Sequence, residues 1–115
     1  MIVTLIPGTG VGPQVCDVVR AVAEKLGADL QWEERNELAS AVESARRTGR
    51  VLKGKWVATV EAGKLPPSVE LRRALGIHTI VRHVANLPGL PARAQGVDIM
   101  IFREASEDIY AGFEH

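Results

Sequence analysis

Five residues near the start, Ile2-Val3-Thr4-Leu5-Ile6, form a short run that is β-branched and almost continuously apolar. A run without polar alternation suits a strand covered on both faces, as in a parallel α/β sheet. The next residues narrow the choice. Gly8-Thr9-Gly10-Val11-Gly12-Pro13 reads as a turn, and Pro13 suits the first position of a helix. Val15, Val18, Val19, Val22 and Leu26 then recur at spacings of three and four, one apolar helix face that stops at Gly27.

The same alternation continues. Leu30 to Glu33 reads as a second strand. Leu38 to Thr48 reads as a short helix with Leu38, Val42 and Ala45 inward and Gly49 as its stop. A third strand lies within Val51 to Val60, in its second half, before the loop Lys64-Leu65-Pro66-Pro67. Ser68 is placed to cap a helix through Leu75, with Glu70 in its first turn and Gly76 at its end. Ile77 to Val84 reads as a strand and Asn86-Leu87-Pro88-Gly89-Leu90-Pro91 as an irregular connection. Val97 to Phe102 then reads as a buried strand that delivers polar groups at its C-terminal end, where open α/β sheets place ligands. The expected fold is α/β, three-layered, with a mostly parallel sheet and flanking helices in one domain of 115 residues.

Composition excludes several classes of partner. Fourteen basic and fourteen acidic residues cancel, so no electrostatic footprint for nucleic acid or an anionic membrane is present in the total. A net charge of zero also does little to oppose self-association. No apolar run approaches the roughly 18–20 residues of a membrane span. The single Cys16 rules out an internal disulfide, reads as a core thiol and fits a reducing cytoplasm.

Three groups of residues bear chemistry. The glycine turn could cradle an anion on backbone N–H groups at a helix start, but it is neither G-x-G-x-x-G nor a P-loop, and a tight β–α turn is the better reading. Arg72, Arg82 and Arg103 fall on successive late elements. Guanidinium forks bind carboxylates bidentately, so three of them suit a di- or tricarboxylate, whereas singly each reads as a solvated charge. Glu104, Glu107, Asp108 and Tyr110 form a carboxylate and phenol cluster that could hold a divalent metal and relay a proton, or simply be a polar loop. His78, His83 and His115 have no zinc-like spacing with Cys16.

In order along the chain, I-V-T-L-I-P-G-T-G-V-G-P-Q-V, V-L-K-G-K, S-V-E-L-R-R-A-L-G-I-H-T-I-V-R-H-V and G-V-D-I-M-I-F-R-E-A-S-E-D-I-Y-A-G-F-E-H resemble motifs of the N-terminal part of the β-decarboxylating dehydrogenases. That family comprises the isocitrate, homoisocitrate and 3-isopropylmalate dehydrogenases, and E-D-I-Y-A-G-F-E-H is closest to the isocitrate type. The resemblance implies that Arg72, Arg82 and Arg103, with Ser68, contact the substrate, and that Tyr110 is the catalytic tyrosine. It also implies NAD or NADP, and Mg or Mn as a Lewis acid during decarboxylation.

The departures from the family pattern are Thr9 for aspartate, Lys55 for proline, Ala105 for asparagine, and Trp56-Val57-Ala58-Thr59 in place of a threonine-rich loop. The catalytic lysine, the metal-binding aspartates and the main nucleotide loop of the family lie beyond the position matching His115. Two expectations follow. One is a truncated member, inactive and without cofactor alone, that works by binding, regulation or assembly, its exposed sheet covered by self-association or a second protein. The other is the N-terminal part of an active NAD(P)- and Mg/Mn-dependent decarboxylating dehydrogenase.

Overall fold

The computed structural model describes residues 1–57 and 65–106, in two compact units, Met1–Leu75 and Gly76–His115. The first unit contains β1 (Ile2–Ile6), α1 (Gly12–Lys25), β2 (Gln31–Glu34), α2 (Leu38–Thr48), β3 (Val51–Lys53) and α3 (Pro67–Ala74). Its strands pair in the order β2-β1-β3, all parallel, with Val3 opposite Trp32 and Thr4 opposite Val51. The apolar run is therefore the central strand, and Leu5 and Ile6 are fully buried.

Parallel crossovers are right-handed, so the steps from β1 out to β2 and back across to β3 put α1 and α2 on opposite faces. Side chains of β1 alternate between those faces. Thr4 and Ile6 face α2. The Thr4 hydroxyl is bonded to Ser44 Oγ at 2.6 Å and Thr48 Oγ1 at 2.8 Å. Ile6, Ala41 and Leu71 form a core against which Leu38, Val42, Trp56 and Leu75 pack. Of the inward face expected for α2, Ala45 is buried and Leu38 and Val42 are half-buried against the core, while Ala41 and Ser44 are buried beside them; Gly49 ends the helix with φ of 65°.

α1 departs from expectation. An apolar stripe ordinarily faces the core, yet Val15, Val18, Val22 and Leu26 are exposed, at 54%, 62%, 52% and 79%. The buried residues of the helix are Gly12 and Cys16, which lie about a quarter turn round from the valines. Small side chains let the helix approach the sheet closely, and the bulky ones are left on the outside.

β3 occupies the first part of its segment, whereas the expectation placed the strand in the second half. Gly54 donates its N–H to Ile6 O at 2.8 Å, and the strand ends there. A Cβ at Gly54 would lie 2.2 Å from Pro7 O, so the backbones of the two loops are in direct contact. The remainder, from Ala58 to Val60, lies outside the described residues. Ser68 is not the cap of α3: Pro66 occupies that position without a side-chain cap bond, and Ser68 lies inside the first turn.

The second unit contains β4 (Thr79–Ala85) and β5 (Asp98–Glu104), paired antiparallel with Arg82 opposite Ile101 and His83 opposite Met100. No helix separates these strands, so the crossover that parallel pairing needs is missing. The connection is held by Asn86, whose side chain accepts from Val97 N at 2.6 Å and donates to Ala94 O at 3.0 Å. The expectation of a buried last strand is not met: every residue of β5 is exposed. Apolar strand surface is open as expected, with Val81, Met100 and Phe102 at 53%, 52% and 70%.

Candidate functional site

The β4–β5 register brings two of the three arginines together. Directly opposite residues of an antiparallel pair share a face, so Ile80 with Arg103 and Arg82 with Ile101 form one diagonal set. These four side chains line a groove of about 140 Å³. The arginines occupy one diagonal and the isoleucines the other. Their Cβ atoms are about 7 Å apart by strand geometry, within reach of both carboxylates of one small acid. The isoleucines give the groove an apolar floor that strengthens charge-assisted bonds above it.

Arg72 stands in the first unit, on α3. It is half-buried, and its buried Nε has no hydrogen-bond partner among the described residues. Ser68 lies four residues earlier, on the same helix face. Lys53, at the end of β3, carries no motif that marks it in the sequence and belongs with them. Local burial lowers its ammonium pKa, and the nearby Arg72 guanidinium lowers it further. Its Nζ donates to Gly54 O at 2.8 Å. Two cations side by side, one with an unmet buried N–H, make a place where an anion is favoured. The nearest local signal is the L-K-G triplet, since a lysine that ends a strand beside a glycine turn is held near the backbone.

The glycine turn after β1 is a packed corner. Gly8 has φ of 76°, and a Cβ there would lie 2.3 Å from Lys55 O. The Thr9 N–H is already bonded to Lys55 O at 2.8 Å. The Thr9 hydroxyl accepts from Val57 N at 2.8 Å and donates to Val57 O at 2.9 Å. The backbone at 54–57 thus packs against the turn and engages both the N–H and the hydroxyl of Thr9. Cys16 is buried beneath Gly54, as a core thiol.

Tyr110, Glu107, Asp108 and Glu114 lie outside the described residues. Among the described residues no three His, Cys, Asp or Glu side chains gather as a metal-ligand set. Among the described residues no chemical step is assigned through a divalent metal or a nucleotide phosphate.

No family model matches the chain. It is 38% identical over 120 residues to the NAD isocitrate dehydrogenase regulatory subunit 1 of Arabidopsis thaliana, covering 98% of this chain and 33% of that protein. It is 34% identical over 129 residues to the NADP isocitrate dehydrogenase of Thermus thermophilus, covering 99% and 26%. The crystal structure of isocitrate dehydrogenase from Methylococcus capsulatus superposes with a TM-score of 0.85 at 30% identity, over 99% of this chain and 37% of that one. The chain thus spans about a third of the length of the relatives it matches. It belongs to the isocitrate and 3-isopropylmalate dehydrogenase family and corresponds to an N-terminal segment of its fold.

Proposed function

We propose that the chain binds a small di- or tricarboxylic acid through Arg82 and Arg103, and does not turn the acid over by itself. Its role is then binding, regulation or assembly within an isocitrate-dehydrogenase-like system, with a partner or a second copy over its exposed apolar surface. The observation that carries this reading is the diagonal pairing of the two arginines around one groove. Arg72, Ser68 and Lys53 supply a second set of anion-seeking groups on the first unit. The similarity to a regulatory subunit supports a role other than turnover.

Calorimetry with citrate and isocitrate tests it. Wild type binds, and Arg82→Ala and Arg103→Ala each weaken binding about tenfold or more, the loss of a charge-assisted hydrogen bond. Both positions are exposed strand residues, so the substitutions leave the fold intact. Equal heats for wild type and both variants would overturn the reading.

The second reading is an N-terminal part of an active NAD(P)- and Mg- or Mn-dependent decarboxylating dehydrogenase. Similarity over nearly the whole chain to an isocitrate dehydrogenase favours it. Reduction of NAD or NADP by the purified chain with isocitrate and Mg or Mn establishes this reading and removes the first.

A further inference from the structure

A second groove, of about 370 Å³, lies between α1 and β2 and takes no part in the acid reading. Arg20, Ala23 and Glu24 line it from α1, Ala28 and Leu30 from the loop that follows, and Trp32 from β2. The three helix residues are three and four positions apart, so they share one side of α1. Trp32 pairs with Val3 in the parallel register and stands with it on the α1 face of the sheet. β2 is an edge strand, and the alanines are too small to fill the space over the indole. Trp32 is therefore half-buried, and its N–H makes no hydrogen bond among the described residues.

The charges around the groove do not balance. The Arg20 Nη2 donates to Glu34 Oε2 at 2.8 Å, and its Nη1 lies 3.9 Å from Asp17 Oδ1. The Arg20 Nε is buried without a partner, out of reach of a molecule in the groove. Glu24 is exposed, with no ion pair or hydrogen bond among the described residues. Three carboxylates thus surround one guanidinium, and the excess is negative. An aromatic face beside an unmatched carboxylate attracts a cation. A guanidinium suits the pair better than an ammonium does. Its plane stacks on an aromatic ring, and its fork meets a carboxylate with two parallel hydrogen bonds. We propose that the groove between α1 and β2 binds a small compound carrying a guanidinium group, with its plane on Trp32 and its N–H fork on Glu24. The volume is that of a small-molecule site. None of the arginines of the acid groove takes part, so the two readings stand or fall separately.

The test is a titration of the 115-residue chain with Nα-acetyl-arginine amide at low salt, followed by the indole N–H resonances of its two tryptophans. The Trp32 resonance moves along a saturating curve, with a dissociation constant on the order of 1 mM. The Trp56 resonance stays in place, because Trp56 packs against the Ile6 core. Nα-acetyl-lysine amide carries the same charge and binds about fivefold or more weakly, since an ammonium neither stacks nor forks. Glu24→Gln, at an exposed helix position, keeps the fold and weakens the arginine compound about fivefold or more. Glu37→Gln, an exposed carboxylate outside the groove, changes nothing. A stationary Trp32 resonance would overturn the proposal. So would equal binding of the two compounds, or equal binding by wild type and Glu24→Gln, because the attraction is then one of net charge alone. A Gly-Gly-Arg-Gly-Gly peptide that binds about tenfold more tightly than the capped amino acid would overturn the free compound as occupant and assign the groove to an arginine side chain of a partner polypeptide.

Discussion

Thr9 shows how a single residue can differ from a family pattern and still be specified by its surroundings. Its hydroxyl both accepts from Val57 N and donates to Val57 O, closing the corner between the glycine turn and the segment after β3. An aspartate at this position could accept the first bond but has no proton for the second. The change from aspartate therefore adds a clamp to this corner and is not merely the loss of a group. Replacing Thr9 with valine keeps the shape and removes both bonds. We expect Thr9→Val to lower unfolding stability by about 1–2 kcal/mol, since each net hydrogen bond contributes about 1 kcal/mol, and Thr9→Ser to retain most of it. Urea unfolding measures this. A valine variant as stable as wild type would mean the two bonds only replace equivalent bonds to water.

Between elements, β2 and α2 are joined by Glu33. Its carboxylate accepts from Arg35 Nη2 at 2.6 Å and from Arg47 of α2, and these partners with Ser44 hold its pKa below the ordinary glutamate range, the Arg47 hydrogen bond most of all. The sign follows from the depressed value. The clamp stabilises the fold fully above the ordinary glutamate pKa, roughly 4.3, and its contribution disappears as the pH falls below that range and the folded carboxylate takes up a proton. Glu33→Gln is therefore less stable than wild type in urea at neutral pH, and the two converge in strong acid. A deficit of equal size at both pH values would show that Glu33 acts through packing and not through its charge.

The elements also show what the sequence makes legible. The bounds of α2 are readable to the residue, because its apolar spacing and the left-handed Gly49 are both local signals, whereas its buried Ala41 and Ser44 are too small or polar to mark the inward face. The end of β3 is not, because Gly54 stops the strand by touching Pro7, far away along the chain. The two faces of α1 could not be ranked from periodicity, since Gly12 and Cys16 carry little hydrophobic signal yet lie on the buried side. Arg82 and Arg103 could be picked out by type, but their diagonal meeting depends on antiparallel register, which no local pattern encodes. Lys53 is not legible in the sequence, because its setting comes from Arg72 on another element.

At the scale of the whole molecule, stability is unevenly placed. β1 is central in its sheet, with Leu5 and Ile6 fully buried, and α2 and α3 close the core over Ile6. β4 and β5 make a two-stranded sheet in which every residue of β5 is exposed. Two strands without a covered face are marginal in water, whereas a central strand under helices opens only with the surrounding core. Hydrogen exchange reads this difference directly. Peptides spanning Ile2–Ile6 should be protected about a hundredfold or more beyond those spanning Thr79–Ala85 and Asp98–Glu104. Equal protection would mean that the hairpin is covered in solution, by another chain or by its own, and that its exposed Val81, Met100 and Phe102 form an interface in the isolated protein. Slower exchange of the hairpin on adding citrate, with no change in β1, would locate the acid at the arginine groove. Slower exchange in both units would mean that the acid also engages the Arg72 and Lys53 side of the molecule.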